Sequence, residues 1–340
     1  MTVRVAVMGA GSWGTVMAKL FSDAGGEVVL WGRREAAVAA INERHENADY
    51  LPGIALPAGL RATSDPAAAL AGADIVTIAV PAQTLRANLA DWGGLLPANA
   101  LVVSGMKGVE LGTTRLMSEV VQEAAGVPRE RIAVFCGPNL APEIASGQPG
   151  AAVAACVDEE RARQLQAATM TAYFRVYTTT DVVGCELGGA VKNIVALCVG
   201  MAAGLGFGAS TQALLMTRGL AEITRLGAAL GADEHTFAGL AGMGDLVGTC
   251  LSPLSRNRTF GENLGRGMTL DEVVAVTKQT AEGVKSSEPV LELARKHGVE
   301  MPIAEAVAAV LHHGMPIKEA AISLISRSPK AERYGMSQGE

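Results

Sequence analysis

The sequence predicts an α/β protein in two parts: a doubly wound parallel sheet over residues 1–178, then an all-helical domain over 179–327, with a polar tail at 328–340. Three observations predict it. Short, continuous apolar runs alternate with helix-period segments as far as Tyr177, the pattern of a parallel sheet covered on both faces. Beyond Tyr177 the strand signal stops and only helical spacing follows. The 40 glycines in 340 residues show no G-X-Y period and gather where the apolar runs end, so they mark turns and close backbone approaches.

The elements follow in order. Val3–Met8 reads as a buried strand, and Ser12–Ala24 as a helix with Trp13, Val16, Met17, Leu20 and Phe21 on its apolar side. Glu27–Trp31, Asp74–Val80, Ala100–Ser104, Ile132–Cys136, Gly150–Cys156 and Tyr173–Tyr177 are further strands. Helical periods lie between them at Glu35–Asn47, Gln83–Leu95, Thr113–Ala125 and Glu159–Met170. In the second part, Asp181–Gly204, Ala209–Leu230, Glu282–His297, Ile303–His312 and Ile317–Ser326 read as helices. The first carries Gly189, Asn193, Ala196, Gly200 and Ala203 on one face, at spacings of four and three, so that a neighbouring segment can approach closely.

Composition removes several classes of function. Charged residues are 18% and apolar residues 49%, which favours a packed core over disorder. With a net charge of −6 and no basic block, nothing points to nucleic acid or an anionic membrane. Cys136, Cys156, Cys185, Cys198 and Cys250 are widely spaced in apolar settings, as expected of reduced thiols in a cytoplasmic protein, and no His–Cys pattern completes a metal site. Arg4 and the early glycines do not suit a signal peptide. Asn193–Thr217 is charge-free and long enough to span a bilayer, but its polar residues and glycines 204, 206 and 208 favour two buried helices joined by a turn.

The strongest motif is Gly9-Ala10-Gly11-Ser12-Trp13-Gly14, which follows a strand and opens a helix. In this Rossmann-type context Gly9 makes the tight turn, Gly11 lets the backbone approach a pyrophosphate, and Gly14 lets helix pack on strand. The helix start adds free N–H groups and a positive dipole end. At the end of the second strand, where an NAD site usually carries an acid, the chain reads Arg33-Arg34. Guanidinium groups there favour a 2′-phosphate, hence NADP(H) over NAD(H), although two solvated surface charges would read the same.

Two loops follow apolar strands on the rim where open α/β sheets bind ligands: Ser104–Gly108 with Lys107, and Gly137–Glu143 with Asn139. Lys192 stands in an otherwise small and apolar helix, one turn after Gly188 and Gly189. Two helical glycines cost roughly 1 kcal/mol each, a cost that makes sense if something must lie close beside the lysine. A partly buried lysine with a lowered pKa can serve as acid or base; a lysine reaching its charge to the surface is the plainer alternative. Gly242–Asp245 and Ser255–Arg258 complete the set. The latter places guanidinium, amide and hydroxyl groups at a helix start, suited to a phosphate dianion, while Asp245 suits a substrate hydroxyl or Lys192.

Together these residues closely resemble the bacterial NAD(P)-dependent glycerol-3-phosphate dehydrogenases. The resemblance runs in family order from Gly9–Thr15 through Tyr50–Pro57 (YLPGIALP), SGMKG, GPNLAPE, ELGGAVKN, GFGAST, TRGLAEITRLGAALGA and GMGDLV to SRNR. It implies a helical domain like the C-terminal domain of 6-phosphogluconate dehydrogenase. It also implies NAD(P)H-dependent, reversible reduction of dihydroxyacetone phosphate to sn-glycerol 3-phosphate, supplying glycerophospholipid synthesis. By that resemblance Lys192 is the general acid/base, and Lys107, Gly137, Asn139, Asp245, Ser255, Arg256 and Asn257 hold the substrate. Ser12, Trp13, Arg33, Arg34, Tyr50, Lys107, Ala141, Arg256 and Glu282 contact the cofactor, with Gly9, Gly11 and Gly14 of the glycine loop. Asn139 is commonly serine or threonine in relatives. A β-hydroxyacid dehydrogenase of the 6-phosphogluconate type is the nearest alternative, but its lysine and asparagine typically stand a helical turn apart, whereas Lys192 and Asn193 are adjacent. A dinucleotide-sensing regulator without turnover would leave the lysine and SRNR segments unexplained. The apolar helical half is compatible with a homodimer.

Overall fold

A computed structural model describes residues 2–277, 281–329 and 331–332, so most of the tail expected at 328–340 lies outside the described residues. The chain divides into two compact units. Residues up to Met106, with Met117–Val182, form the first; Lys107–Leu116, with the chain from Val183 onward, forms the second.

The first unit is built on one eight-stranded sheet: β1 (Arg4–Met8), β2 (Glu27–Trp31), β3 (Arg61–Thr63), β4 (Ile75–Ile78), β5 (Leu101–Ser104), β6 (Ile132–Cys136), β7 (Gly150–Cys156) and β8 (Phe174–Thr179). Their spatial order is β3-β2-β1-β4-β5-β6-β7-β8. The first six are mutually parallel and follow the order of dinucleotide-binding sheets, which reverses direction beside β1. The apolar runs are continuous because both faces are covered. Val5 and Val7 enter one apolar cluster with Leu101 and Val103, while Ala6 and Met8 enter another with Val76 and Val102.

The sheet departs from the expected all-parallel arrangement at β7, which runs antiparallel to β6. The reason is local. A parallel return needs a crossover long enough to travel back along the strand, and the β6–β7 connection holds only the five-residue helix Ala141–Ala145. β8 is again parallel to β7, across the helix Glu159–Thr169. Short elements escape the sequence pattern altogether: β3, the helix Ala141–Ala145, and the helix Pro66–Leu70, which Asp65 caps and Pro66 opens. Three and five residues are too few to display a period.

In the second unit, Val182–Gly204 and Ala209–Ala229 are the two helices expected of the charge-free stretch, and Gly206 turns the chain between them with φ 85°. The first is long and apolar enough to cross a membrane, but 94% of its apolar window is buried within the protein, which makes it a core helix. It is the axis on which the other elements stand. Carbon atoms added at Gly200 and Gly204 would overlap the carbonyls of Arg258 and Glu262, and at Gly261 and Gly265 those of Leu197 and Met201. The helix Arg256–Gly265 therefore crosses it with glycine facing backbone on both sides. Glu282–Lys296, Pro302–His313 and Ile317–Ile325 complete the expected helices.

Candidate active site

The glycine loop of the first unit is built from backbone. Gly9 has φ 127°, a region closed to other residues, and a side chain there would strike Ala79. A carbon atom on Gly14 would overlap the Gly9 carbonyl, so Gly14 is what lets the helix Ser12–Asp23 pack on β1. Gly11 differs: nothing lies within 4 Å of the position its side chain would take. That open space lies at the N-cap, where no side chain caps the helix and the first N–H groups have no partner in the helix itself. These features fit a pyrophosphate. Asn47 holds the loop in place. Its buried amide donates to the Ala10 carbonyl at 3.1 Å and to the Thr15 hydroxyl at 2.8 Å, while the Thr15 hydroxyl donates to Gly11 at 2.8 Å. The helical period extends to Asn47 in the sequence, but the helix stops at Arg44, His45 takes φ 52°, and the turn sends Asn47 inward.

Arg33 and Arg34, just beyond β2, are both exposed but differ in their contacts. Arg34 pairs with Asp49 at 2.6 Å and lies over the Tyr50 ring at 5.6 Å. Arg33 has no ion-pair partner among the described residues. Ser12 is part-buried at the helix start, and Trp13 lays its indole against Gly105, where a side chain would come within 3.1 Å of Nε1. Gly137 takes φ 131° after β6, Ala141 opens the short helix that follows, and both amide atoms of Asn139 are buried without a partner among the described residues. Buried amides are normally paired, so the Asn139 side chain is equipped for a bound polar group.

The lysine site belongs to the second unit. Lys192, on the core helix, is 4% exposed and donates to Asp245 Oδ1 and, at 2.7 Å, to the Thr249 hydroxyl. Lys107 donates to the other oxygen, Asp245 Oδ2, at 2.6 Å. Two ammonium groups thus divide one buried carboxylate. Burial pushes the Lys192 pKa down to about 7; Asp245 opposes the shift and Lys107 adds to it. Asp245 gets there through a π-helical turn, Leu240–Gly244, which leads into the helix Asp245–Leu251. Gly188 makes room for that turn, since a side chain there would overlap the Ala241 carbonyl. Thr249, one helical turn after Asp245, was not singled out in the sequence. The i, i+4 spacing from Asp245 is the signal that could have found it.

The Ser255–Arg258 segment opens a helix as its composition predicts. Ser255 is the N-cap, its oxygen accepting from the Arg258 N–H at 3.3 Å. The buried Asn257 accepts from the Gly283 N–H at 3.0 Å, and a side chain at Gly283 would press within 2.6 Å of the Asn193 carbonyl. This ties the segment to the residue beside Lys192. Arg256 is exposed. Glu282, at the start of its helix, has one buried carboxylate oxygen without a partner among the described residues; burial raises its pKa and Arg256 opposes that rise. The structure therefore joins Lys107, Lys192 and Asp245 directly, and sets Ser255, Arg256, Asn257 and Glu282 around the Asn257–Gly283 bond. Among the described residues, no three His, Cys, Asp or Glu side chains group as metal ligands.

Comparison with known families matches residues 4–162 to the NAD-dependent glycerol-3-phosphate dehydrogenase N-terminus and residues 181–322 to its C-terminus. The chain belongs to this family. It is 63% identical over 334 residues to the glycerol-3-phosphate dehydrogenase [NAD(P)+] of Thermobifida fusca, covering 98% of this chain and 99% of that one. The enzyme of the same name from Streptomyces griseus is 63% identical over 331 residues, 97% of this chain and 98% of its own. Among solved structures, glycerol-3-phosphate dehydrogenase from Coxiella burnetii superposes with a TM-score of 0.91 at 36% identity, covering 96% of this chain and 99% of that one. The family assignment sets the 6-phosphogluconate-type and regulator alternatives aside.

Proposed function

We propose that the chain interconverts dihydroxyacetone phosphate and sn-glycerol 3-phosphate with NAD(P)(H), and that Lys192 moves the proton. Family membership supports the activity. The observation that carries the residue assignment is the buried Lys192–Asp245–Lys107 arrangement, in which a lysine pKa is lowered to about 7.

When bound, NAD(P)H supplies the hydride that adds to the carbonyl carbon. Protonated Lys192 donates to the carbonyl oxygen and gives up its proton as that oxygen becomes an alcohol. Asp245 and the Thr249 hydroxyl hold the ammonium in line. In the oxidative direction neutral Lys192 takes the hydroxyl proton. A pKa near neutrality keeps both forms populated at working pH. Lys107 supplies a second cation toward the substrate oxygens. Arg256 and the amide N–H₂ of Asn257, whose oxygen is occupied by Gly283, grip the phosphate dianion, with the N-terminus of the Arg256–Gly265 helix behind them. Gly137 and Asn139 remain substrate contacts in this reading, supported by the two unpartnered amide atoms. Ser255 acts through the helix it caps.

The cofactor sits on the Gly9–Gly14 loop, with Ser12, Trp13, Ala141 and Glu282 as further contacts. NADPH is preferred over NADH, through Arg33 first and Arg34 with Tyr50 second. The protein works in the cytoplasm, a reading supported by five free, buried cysteines. A homodimer is the assembly to test by light scattering. Oxidation of NADPH and of NADH, each followed by the absorbance of the reduced nicotinamide with dihydroxyacetone phosphate, tests the function. Turnover with an NADPH advantage is expected. Cofactor binding without turnover overturns the activity, and an NADH advantage overturns the preference.

A further inference from the structure

Gly188 and Gly189 sit side by side before Lys192, yet they face different neighbours. The space at Gly188 is taken by the backbone of the π-helical turn. The space at Gly189 is taken by the Lys107 side chain: a carbon atom added there would lie 3.3 Å from Cγ, 3.6 Å from Cδ and 3.7 Å from Cε. Three successive carbons at nearly one distance mean that the Lys107 stem passes directly over Gly189. It arrives with the ammonium 2.6 Å from Asp245 Oδ2, the oxygen that Lys192 leaves open. Both contacts lie within the second unit, because Lys107–Leu116 packs with it.

We propose that Gly189 is a positioning residue for the reaction: its missing side chain is the lane along which Lys107 reaches Asp245, and so it sets how the two lysines divide one carboxylate. Among the described residues, the groups whose charge acts on Lys192 are Asp245 and Lys107, and Cys250, on the same helix as Asp245, feels the Lys192 charge in turn. Of these only Lys107 is placed by a side chain long enough to be displaced sideways. Asp245 and Cys250 are fixed by the helix Asp245–Leu251. The inference rests on the roles proposed above for Lys192 and Lys107, and its test separates the two.

The test measures kcat, KM and the pH dependence of kcat/KM in both reaction directions, with thermal melts, for Gly189→Ala, Gly189→Val, Lys107→Ala and the double variant Lys107→Ala/Gly189→Val. Alanine asks the stem to give by a few tenths of an ångström and should lower kcat/KM by a few-fold. Valine should cost on the order of a hundredfold, the scale of a 1 Å misplacement in an active site. Moving the Lys107 cation away removes a charge that disfavours protonated Lys192. The rising limb of oxidation and the falling limb of reduction should therefore both move to higher pH. In the Lys107→Ala background, Gly189→Val should have no further effect on kcat/KM. Equal losses from Gly189→Val in both backgrounds, or unmoved pH limbs, would overturn the inference by making position 189 merely structural. Normal turnover in Gly189→Ala and Gly189→Val beside a depressed Lys107→Ala would overturn it as well, with the role of Lys107 intact. Normal turnover in Lys107→Ala would instead strike the underlying reading. Should the valine variant melt early, the alanine variant, which favours the helix, still reads the pH limbs.

Discussion

The two halves of the chain build their sites from opposite materials. In the first unit the glycine loop is made of backbone: a turn at φ 127°, a bare N-cap, and a helix start whose N–H groups point outward. All of it falls within six consecutive residues. In the second unit the site is made of side chains from Lys107, Lys192, Asp245 and Thr249, with 138 positions separating the bonded pair Lys107 and Asp245. A backbone site needs local conformation only. A side-chain site needs the fold, because burial is what lowers the lysine pKa toward neutrality.

That contrast can be broken in several places. The largest effect expected is at Lys192. Lys192→Ala should cut kcat by about a thousandfold or more, within the range of a lost general acid, while substrate binding falls only modestly. Stopped-flow turnover with substrate titration checks this, and near-normal turnover removes Lys192 from the chemistry. In the unaltered protein, oxidation should rise through pH about 7 as Lys192 loses its proton, and reduction should fall through the same range.

Next come the glycines, where one substitution should have two outcomes. Gly14→Ala forces a carbon atom into the Gly9 carbonyl and should destabilise the first unit by about 1–3 kcal/mol, the cost of overpacking. Gly11→Ala meets open space at an ordinary φ of −80°. It should leave the melting temperature near its original value and weaken NADPH binding by about tenfold or more, because the methyl group would stand where the pyrophosphate approaches. Melting and cofactor titration on both variants decide the matter. Equal stabilities would mean that Gly14 is not the packing glycine.

Arg256→Ala should raise the substrate KM by about 10- to 100-fold, the worth of a charge-assisted contact, with a smaller change in kcat. An unchanged KM would move the phosphate elsewhere. The smallest effects concern the cofactor's far end. Arg33→Ala should erode the NADPH-over-NADH ratio by about tenfold. Arg34→Ala should erode it less, since that guanidinium is already shared with Asp49 and the Tyr50 ring. A larger effect at Arg34 would reverse their order.

Much of the fold could be read in advance because its signals are local. β2, β6 and β7 begin and end where their apolar runs do, and Ser255 caps its helix as its residue type suggests. Elements too short for a period were missed, as were Glu234–Ala238, Asp245–Leu251 and Leu270–Val276, whose five to seven residues reveal a helix only by what they pack against. The reversal at β7 was missed for a different reason: a strand buried on both faces has the same composition in either direction.

The sequence by itself determined the glycine loop after the first strand, the order of the longer strands and helices, and a list of candidate residues for a phosphate-binding oxidoreductase. Those depend on backbone conformation and residue type, both carried by neighbours in the chain. Only the tertiary structure decided that Lys107–Leu116 packs with the helical unit, that Asn47 pins the glycine loop, and that Lys107 and Lys192 hold opposite oxygens of Asp245. Each of these depends on which distant groups share a desolvated space, and a lysine's charge becomes chemically useful only once water has been taken from around it.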